Sequence, residues 1–315
     1  MSNDKQYWIV EDPWTGEKFY FDDERYGAWF RECLITPPMN QGSQPLDGGN
    51  FLLTEEEARE AVNRESNIAK FIRQCYGSRE FINNIARFCL WLVDAEPEDI
   101  KHSKFIYDRV QKVKEFRLSC KSESTQKISD KPYLFGANRQ PSKKYLLIPR
   151  HSSSKRRYVP MGYLPPEIIA TDACFVLPNC TLYHFGVLNS SVHMGWMRRV
   201  CGRIRDDYRY SNTVVYNPFV WPNITPKGAI EITATAAEIL EARENHPHSS
   251  LADLYDENTM PVDLRKAHKK NDEAVMKAYN FPLSWTEEEV VERMLDLYVE
   301  AREKYFRMHP EKIRR

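Results

Sequence analysis

Arg198, Arg199, Arg203, Arg205 and Arg209 stand within twelve positions of HMGWMRRVCGRIRDDYRYSNTVVYNPFVWP (193–222). Trp196, Tyr208, Tyr210 and Tyr216 interleave with them. A guanidinium is a planar fork of donors. It fits two oxygens of a phosphate, or O6 and N7 of a guanine. A second cationic stretch, HSSSKRRY (151–158), sets the hydroxyls of Ser152, Ser153 and Ser154 among His151, Lys155, Arg156 and Arg157. Arg139, Lys143 and Lys144 precede it. Such a set suits a nucleic acid, with cations for phosphates and hydroxyls and Tyr208 for positioning. The alternative is internal pairing of Arg203, Arg205 and Arg209 with Asp206, Asp207 or acidic parts of the chain.

The whole chain of 315 residues is neutral, with 45 basic and 45 acidic side chains. The charge is segregated all the same. Residues 101–225 carry 21 Lys and Arg against 8 Asp and Glu, while 1–100 and 226–315 are both net acidic. Segregation of this kind points to a polyanion for the middle, or to folding against the flanks. No run approaches the ~18 apolar residues of a membrane span. MSNDKQYWIVEDPW lacks the basic-then-apolar pattern of a signal peptide. Seven scattered cysteines without C-x-x-C suggest reduced thiols and a cytoplasmic protein.

Several chemistries lack their motifs. There is no G-x-G-x-x-G, no phosphate-cradling G-x-x-x-x-G-K-[ST], no G-x-S-x-G and no H-E-x-x-H. DGGN (47–50) reads as a turn. Cys174, Cys180, His184 and His193 are too loosely spaced for a tetrahedral cage, so buried thiols and hydrogen-bonded histidines are expected there. Asp206 and Asp207 sit among arginines, and their simplest role is to orient them.

The elements that must position these residues are short. Residues 1–45, with Trp8, Trp14, Tyr20, Tyr26 and Trp29, read as irregular, and TPPMNQGSQPLDGG (36–49) as a connector. Thr54 and Glu57 have capping-box spacing ahead of a helix, and NIAKFIRQCYG reads as continuing helically to Gly77. RFCLWLVDA (87–95) suits a buried strand, and 102–119 a helix. YLLIPR, RRYVPMGYL and ACFVLP are β-type runs, with 151–157 as a loop between the first two. Leu182, Phe185, Leu188, Val192, Trp196 and Val200 predict a core-facing helix with a bend at Asn189, Ser190 and Ser191. Three helices follow the prolines of FVWPNITPKG. One opens at Pro261, and the last has Ser284 and Glu287 in capping-box spacing.

EFINNIARFCLWLVDAEPEDI (80–100), YLLIPRHSSSKRRYVPMGYL (145–164), the long run 177–222 and SLADLYDENTMPVDLRKAHKKNDEAVMKAY (250–279) resemble the C-terminal half of MmeI-like proteins. These are type IIL, IIG-related restriction–modification enzymes and related adenine-specific DNA methyltransferases. The resemblance covers roughly residues 30–305. It implies an α+β recognition domain with a small twisted sheet flanked by helices, then a helical domain. The divisions expected are a connector from a methyltransferase domain at 1–45, target recognition at 46–225, and helices at 226–315. The family's catalytic part uses S-adenosylmethionine and an N-P-P-[FY] tetrapeptide. TPPM (36–39), LPPE (164–167) and NPFV (217–220) depart from it. The resemblance therefore implies double-stranded DNA as partner, no catalytic residue and no cofactor in this chain. S-adenosylmethionine and a methyltransferase domain, in cis or in trans, would belong to the parent enzyme. The alternatives are a protein-interaction or specificity subunit, and a degenerate methyltransferase working alone.

Overall fold

Asp23 accepts the backbone N–H of Arg25 at 2.8 Å and caps a helix in a stretch that composition reads as irregular. In the computed structural model, which describes residues 7–11 and 16–309, this helix α1 (Glu24–Leu34) packs on an antiparallel pair, β1 (Trp8–Glu11) and β2 (Lys18–Phe21). Val10, Phe21 and Phe30 are buried between them. Trp14 lies outside the described residues.

A first core forms around β4 (Leu52–Thr54), α2 (Glu55–Arg64), β5 (Ile72–Tyr76) and β6 (Arg87–Leu90), while α3 (Ser78–Asn83) packs Phe81 on a separate cluster with Tyr145 and Leu147. β3 (Asn40–Gln41) precedes them and belongs to another sheet. Thr54 and Glu57 make both bonds of the capping box that starts α2. The helical reading of NIAKFIRQCYG does not hold. Residues Ser66–Phe71 form a 3₁₀ turn, and Ile72–Tyr76 is a strand. β5 pairs with β6 on one side and with Ile169 and Ala170 on the other, and this ladder overrides local propensity. Two short helices, α4 (Pro97–His102) and α6 (Glu123–Lys127), flank α5 (Lys104–Ser119). Arg117 on α5 is fully buried and donates to five backbone carbonyls, those of Pro45, Leu46, Ile128, Lys131 and Leu134. One guanidinium thus ties the connector at 45–46 to the end of this lobe.

The chain then builds β7 (Tyr145–Pro149), β8 (His151–Ser152), β9 (Gly162–Leu164), β10 (Ile169–Ala170) and β11 (Cys174–Pro178). Of RRYVPMGYL, only the last three residues are strand. Strand order is β3-β11-β7-β9 in one sheet and β10-β5-β6-β4 in a second. The fold class is α+β, but the described strands divide into four small sheets, where one was expected. α7 (Leu182–Leu188) and α8 (Ser191–Val200) are broken at Asn189 and Ser190, and the Ser190 hydroxyl caps α8 at His193 N–H. Trp196 is buried and donates its indole N–H to Val215 at 2.8 Å. β12 (Gly202–Ile204) and β13 (Asp207–Arg209) follow, then a π-turn, Asn212–Tyr216.

Four helices complete the described chain: α9 (Pro226–Glu244), α10 (Leu251–Leu254), α11 (Val262–Ala278) and α12 (Glu287–Met308). The box that starts α12 is Thr286 with Glu289, two residues beyond the expected pair. No described helix is long and apolar enough to cross a membrane. Ile232, Ala236, Ile239, Leu264 and Val275 share one core with Tyr183, Phe185, Leu188 and Trp196, so the largest core runs straight across residue 225.

Candidate nucleic-acid interface

The two cationic stretches singled out in the sequence are one structure. β8 pairs with β13, setting Ser152 opposite Tyr208 and His151 opposite Arg209. β13 pairs back to β12 across a turn of two residues, Arg205 and Asp206. The result is a three-stranded sheet, order β12-β13-β8, with the 153–157 loop leaving one edge and an arginine-bearing hairpin at the other. Tyr208 faces inward and is buried, while Arg203, Arg205 and Arg209 stay exposed. The Arg203 guanidinium lies 4.8 Å from the centre of the Tyr208 ring, so the tyrosine serves as a platform for the cation. Arg205 takes φ of +54°, a left-handed conformation that costs a non-glycine residue about 1 kcal/mol. This places an exposed arginine at the tip of the hairpin.

The loop is held from below. The Asp207 carboxylate accepts Ser154 N–H at 3.3 Å, and the Ser153 hydroxyl accepts Lys155 N–H at 3.3 Å. Asp206 and Asp207 do not orient the neighbouring arginines as expected. Among the described residues neither carboxylate makes an ion pair with one, and Arg203 reaches only the Asp206 carbonyl. Lys155 and Arg157 are exposed, and Arg156 is half-buried, where burial lowers its pKa. Burial, with the nearby charges of Arg150 and Arg209, also lowers the His151 pKa and favours the neutral imidazole.

Between this sheet and α3 runs a cleft of about 370 Å3, walled by Arg79, Glu80 and Asn83 on one side and His151, Arg156 and Asp207 on the other. Ser152 Oγ, His151 Nε2 and Arg156 Nε are buried here without hydrogen-bond partners. Buried polar atoms in proteins are nearly always paired, so this cluster of orphans is unusual. Donors, acceptors and cations mixed in one cleft match the edges of bases better than a phosphate alone. Arg79 and Asn83 went unnoticed in the sequence. Their i, i+4 spacing was visible, but the helix that carries it was not.

Other candidates lie apart. Lys143 and Lys144 precede β7, and His151 follows it, so the strand separates them by roughly 20 Å. Lys144 sits 4.9 Å from the Tyr163 ring centre. Arg139 is exposed and donates to Gly42 O at 3.1 Å. Arg199, on the last turn of α8, is exposed. Arg198 is not free. Its Nε and Nη2 clamp both oxygens of Glu287 at 2.8 and 2.5 Å, and Nη1 donates to Arg157 O.

The histidines and cysteines weighed as ligands are occupied otherwise. His184 bonds Thr181 and Ile35 O, and His193 bonds Tyr210 Oη at 2.9 Å. Cys174 and Cys180 are free thiols, pushed up to about 12 by burial. DGGN forms the expected turn. Asp47 closes that turn on itself by accepting Gly49 N–H and Phe51 N–H.

Comparison with known proteins gives the family. The family model described as MmeI, target recognition domain, matches residues 31–223, and that for the MmeI C-terminal domain matches 224–306. This chain belongs to the MmeI family. A solved structure of the type IIL restriction-modification enzyme MmeI in complex with DNA superposes with a TM-score of 0.83 at 39% identity, over 84% of this chain and 36% of that one. DNA methyltransferase A of Bacillus subtilis (strain 168) is 35% identical over 268 residues, which is 85% of this chain and 30% of that protein. The chain thus spans about a third of the MmeI-family relatives it matches.

Proposed function

We propose that this chain is the double-stranded DNA recognition module of an adenine-specific, S-adenosylmethionine-dependent methyltransferase or restriction–modification enzyme, with catalysis in a methyltransferase part outside the residues present here. The observation that carries the reading is the β12-β13-β8 sheet. It rigidly joins an exposed arginine hairpin to an exposed cationic loop, beside a cleft of unpaired polar groups. Lys155, Arg156, Arg157, Arg199, Arg203, Arg205 and Arg209 grip phosphates, and a subset of the hairpin and cleft residues reaches base edges. Arg139, Lys143 and Lys144 extend the contact along the duplex. Arg198 acts by holding Arg157 in place.

The test is fluorescence anisotropy with random duplexes across a salt series. Neutralising about seven phosphates predicts that log K falls against log salt with a slope of roughly −6. Replacing Arg203 and Arg209 by alanine should reduce that slope by about 2. Binding that is absent, or indifferent to salt, would favour a protein-interaction role instead. A parallel incubation with labelled S-adenosylmethionine should give no methyl transfer by this chain alone. Transfer would establish a stand-alone methyltransferase.

A further inference from the structure

The cationic loop does not hang from its own sheet alone, because three helices of the C-terminal part each hold the segment that follows it. Arg198, clamped by Glu287 at the start of α12, donates to Arg157 O at 2.8 Å. Tyr158, the next residue, donates its hydroxyl at 2.7 Å to Oδ2 of Asp272 on α11. Arg243 on α9 donates to Met161 O at 2.6 Å. Asp272 is the centre of this arrangement. Its second oxygen accepts Ser191 N–H at 2.7 Å, at the first turn of α8, the helix that carries Arg198 and Arg199. The Tyr158 ring stacks on His268 with centroids 4.0 Å apart, and His268 bonds Tyr255, which Arg243 also holds.

Asp272 makes no ion pair within 4 Å among the described residues. Arg157 acts on it electrostatically from farther off, but a buried carboxylate with no cation in contact is a costly way to fasten a helix, and apolar packing would serve stability better. What the carboxylate supplies is direction. It fixes the loop terminus and the start of the arginine helix at one point, each to within a hydrogen bond.

We infer that Asp272 is a positioning residue for DNA recognition: through Tyr158 and Ser191 it holds the 153–157 loop and the arginine end of α8 in register, so the helical C-terminal part belongs to the reading apparatus. The inference rests on the DNA-binding reading above, and its experiment separates the two.

Amide hydrogen exchange is measured on the free full chain for wild type, Asp272→Asn and Tyr158→Phe, beside melting temperature and anisotropy on duplex DNA. Tyr158→Phe keeps the ring on His268 and removes only the hydroxyl. Both variants should exchange faster at 153–157 and bind duplex about tenfold more weakly, the ratio expected for one lost bond to a charged group. Exchange in the first lobe, at 51–92, should stay as in wild type. Unchanged exchange at 153–157, or a uniform rise along the chain that tracks a fallen melting temperature, overturns the inference. Faster exchange at 153–157 in a chain that binds no duplex in any form upholds the positioning and removes the DNA reading.

Discussion

His184 and His193 set how this protein answers to acid. Burial pulls them down to about 4 and about 3, and it carries His268 well below the usual range too. An unfolded chain takes up these protons near pH 6.5, while the native core refuses them. Their contribution to stability is therefore complete above about pH 6.5 and is lost as pH falls towards 4 and 3. Asp272 has the opposite sign. Burial raises it to about 6, so its carboxyl favours the fold below about pH 4 and loses that advantage as pH rises through 6. Between pH 7 and 4.5 the two histidines together should cost about 5 kcal/mol, offset by about 2 kcal/mol from Asp272. Thermal melts at pH 7, 5.5 and 4.5 should fall for wild type, and more steeply for Asp272→Asn. A melting temperature that holds at pH 4.5 would show that the histidines titrate normally. The sequence pointed to hydrogen-bonded roles for His184 and His193 because, with Cys174 and Cys180, they are too loosely spaced for a metal cage and His184 adjoins the apolar Phe185. It could not show their partners, since Ile35 O lies 149 residues away from His184.

The hairpin β12–β13 was the least visible element. GRIRDDYR has no hydrophobic alternation, because only Tyr208 faces inward, and its turn holds Arg205 and Asp206 where glycine or asparagine is usual. Its cations were visible at once, but not that Arg209 would stand across from His151. That pairing is a long-range contact with no local signal. The same limit hid β5, whose strand character comes from its neighbours in the sheet. The break between α7 and α8 was legible because serine and asparagine cap helices more readily than they continue them. Arg205 gives the hairpin its own prediction. Arg205→Gly relieves the left-handed backbone at an exposed turn, so stability should change by less than about 1 kcal/mol in either direction. Duplex affinity should nevertheless fall, with the salt slope reduced by about 1. Stability kept with affinity lost is the pattern of a contact residue. Affinity kept would place the DNA away from the hairpin tip.

At the scale of the whole molecule, the segregated charge is only sparsely joined among the described residues: Arg109 reaches Glu57 at 3.8 Å, and Arg156 and Arg157 feel Asp256, Glu257 and Asp272 from beyond 4 Å. Among the described residues, Arg198 with Glu287 is the ion pair that joins the 151–209 cations to the acidic C-terminal part. What binds the two parts is apolar packing. Gly186 of α7 lies so close to α9 and α11 that a Cβ there would meet Ile232 Cγ2 at 2.6 Å and Asn271 Oδ1 at 2.9 Å, while Asn271 donates to Gly186 O at 2.8 Å. The stretches on either side of residue 225 therefore share one core, whereas the first lobe at 51–135 has a core of its own. Ending the chain at residue 225 should expose Phe185, Leu188 and Trp196 and give an aggregating product, with only the 51–135 lobe protected from protease. Supplying 226–315 as a separate chain should restore solubility and duplex binding together, because the loop needs Asp272 as much as the core needs Ile232. Gly186→Val should mimic the truncation in milder form, costing about 1–3 kcal/mol by overpacking and lowering the melting temperature. A chain cut at 225 that stays monomeric and binds duplex with full affinity would show the helical part to be an appendage, and would separate the two stretches this structure packs as one.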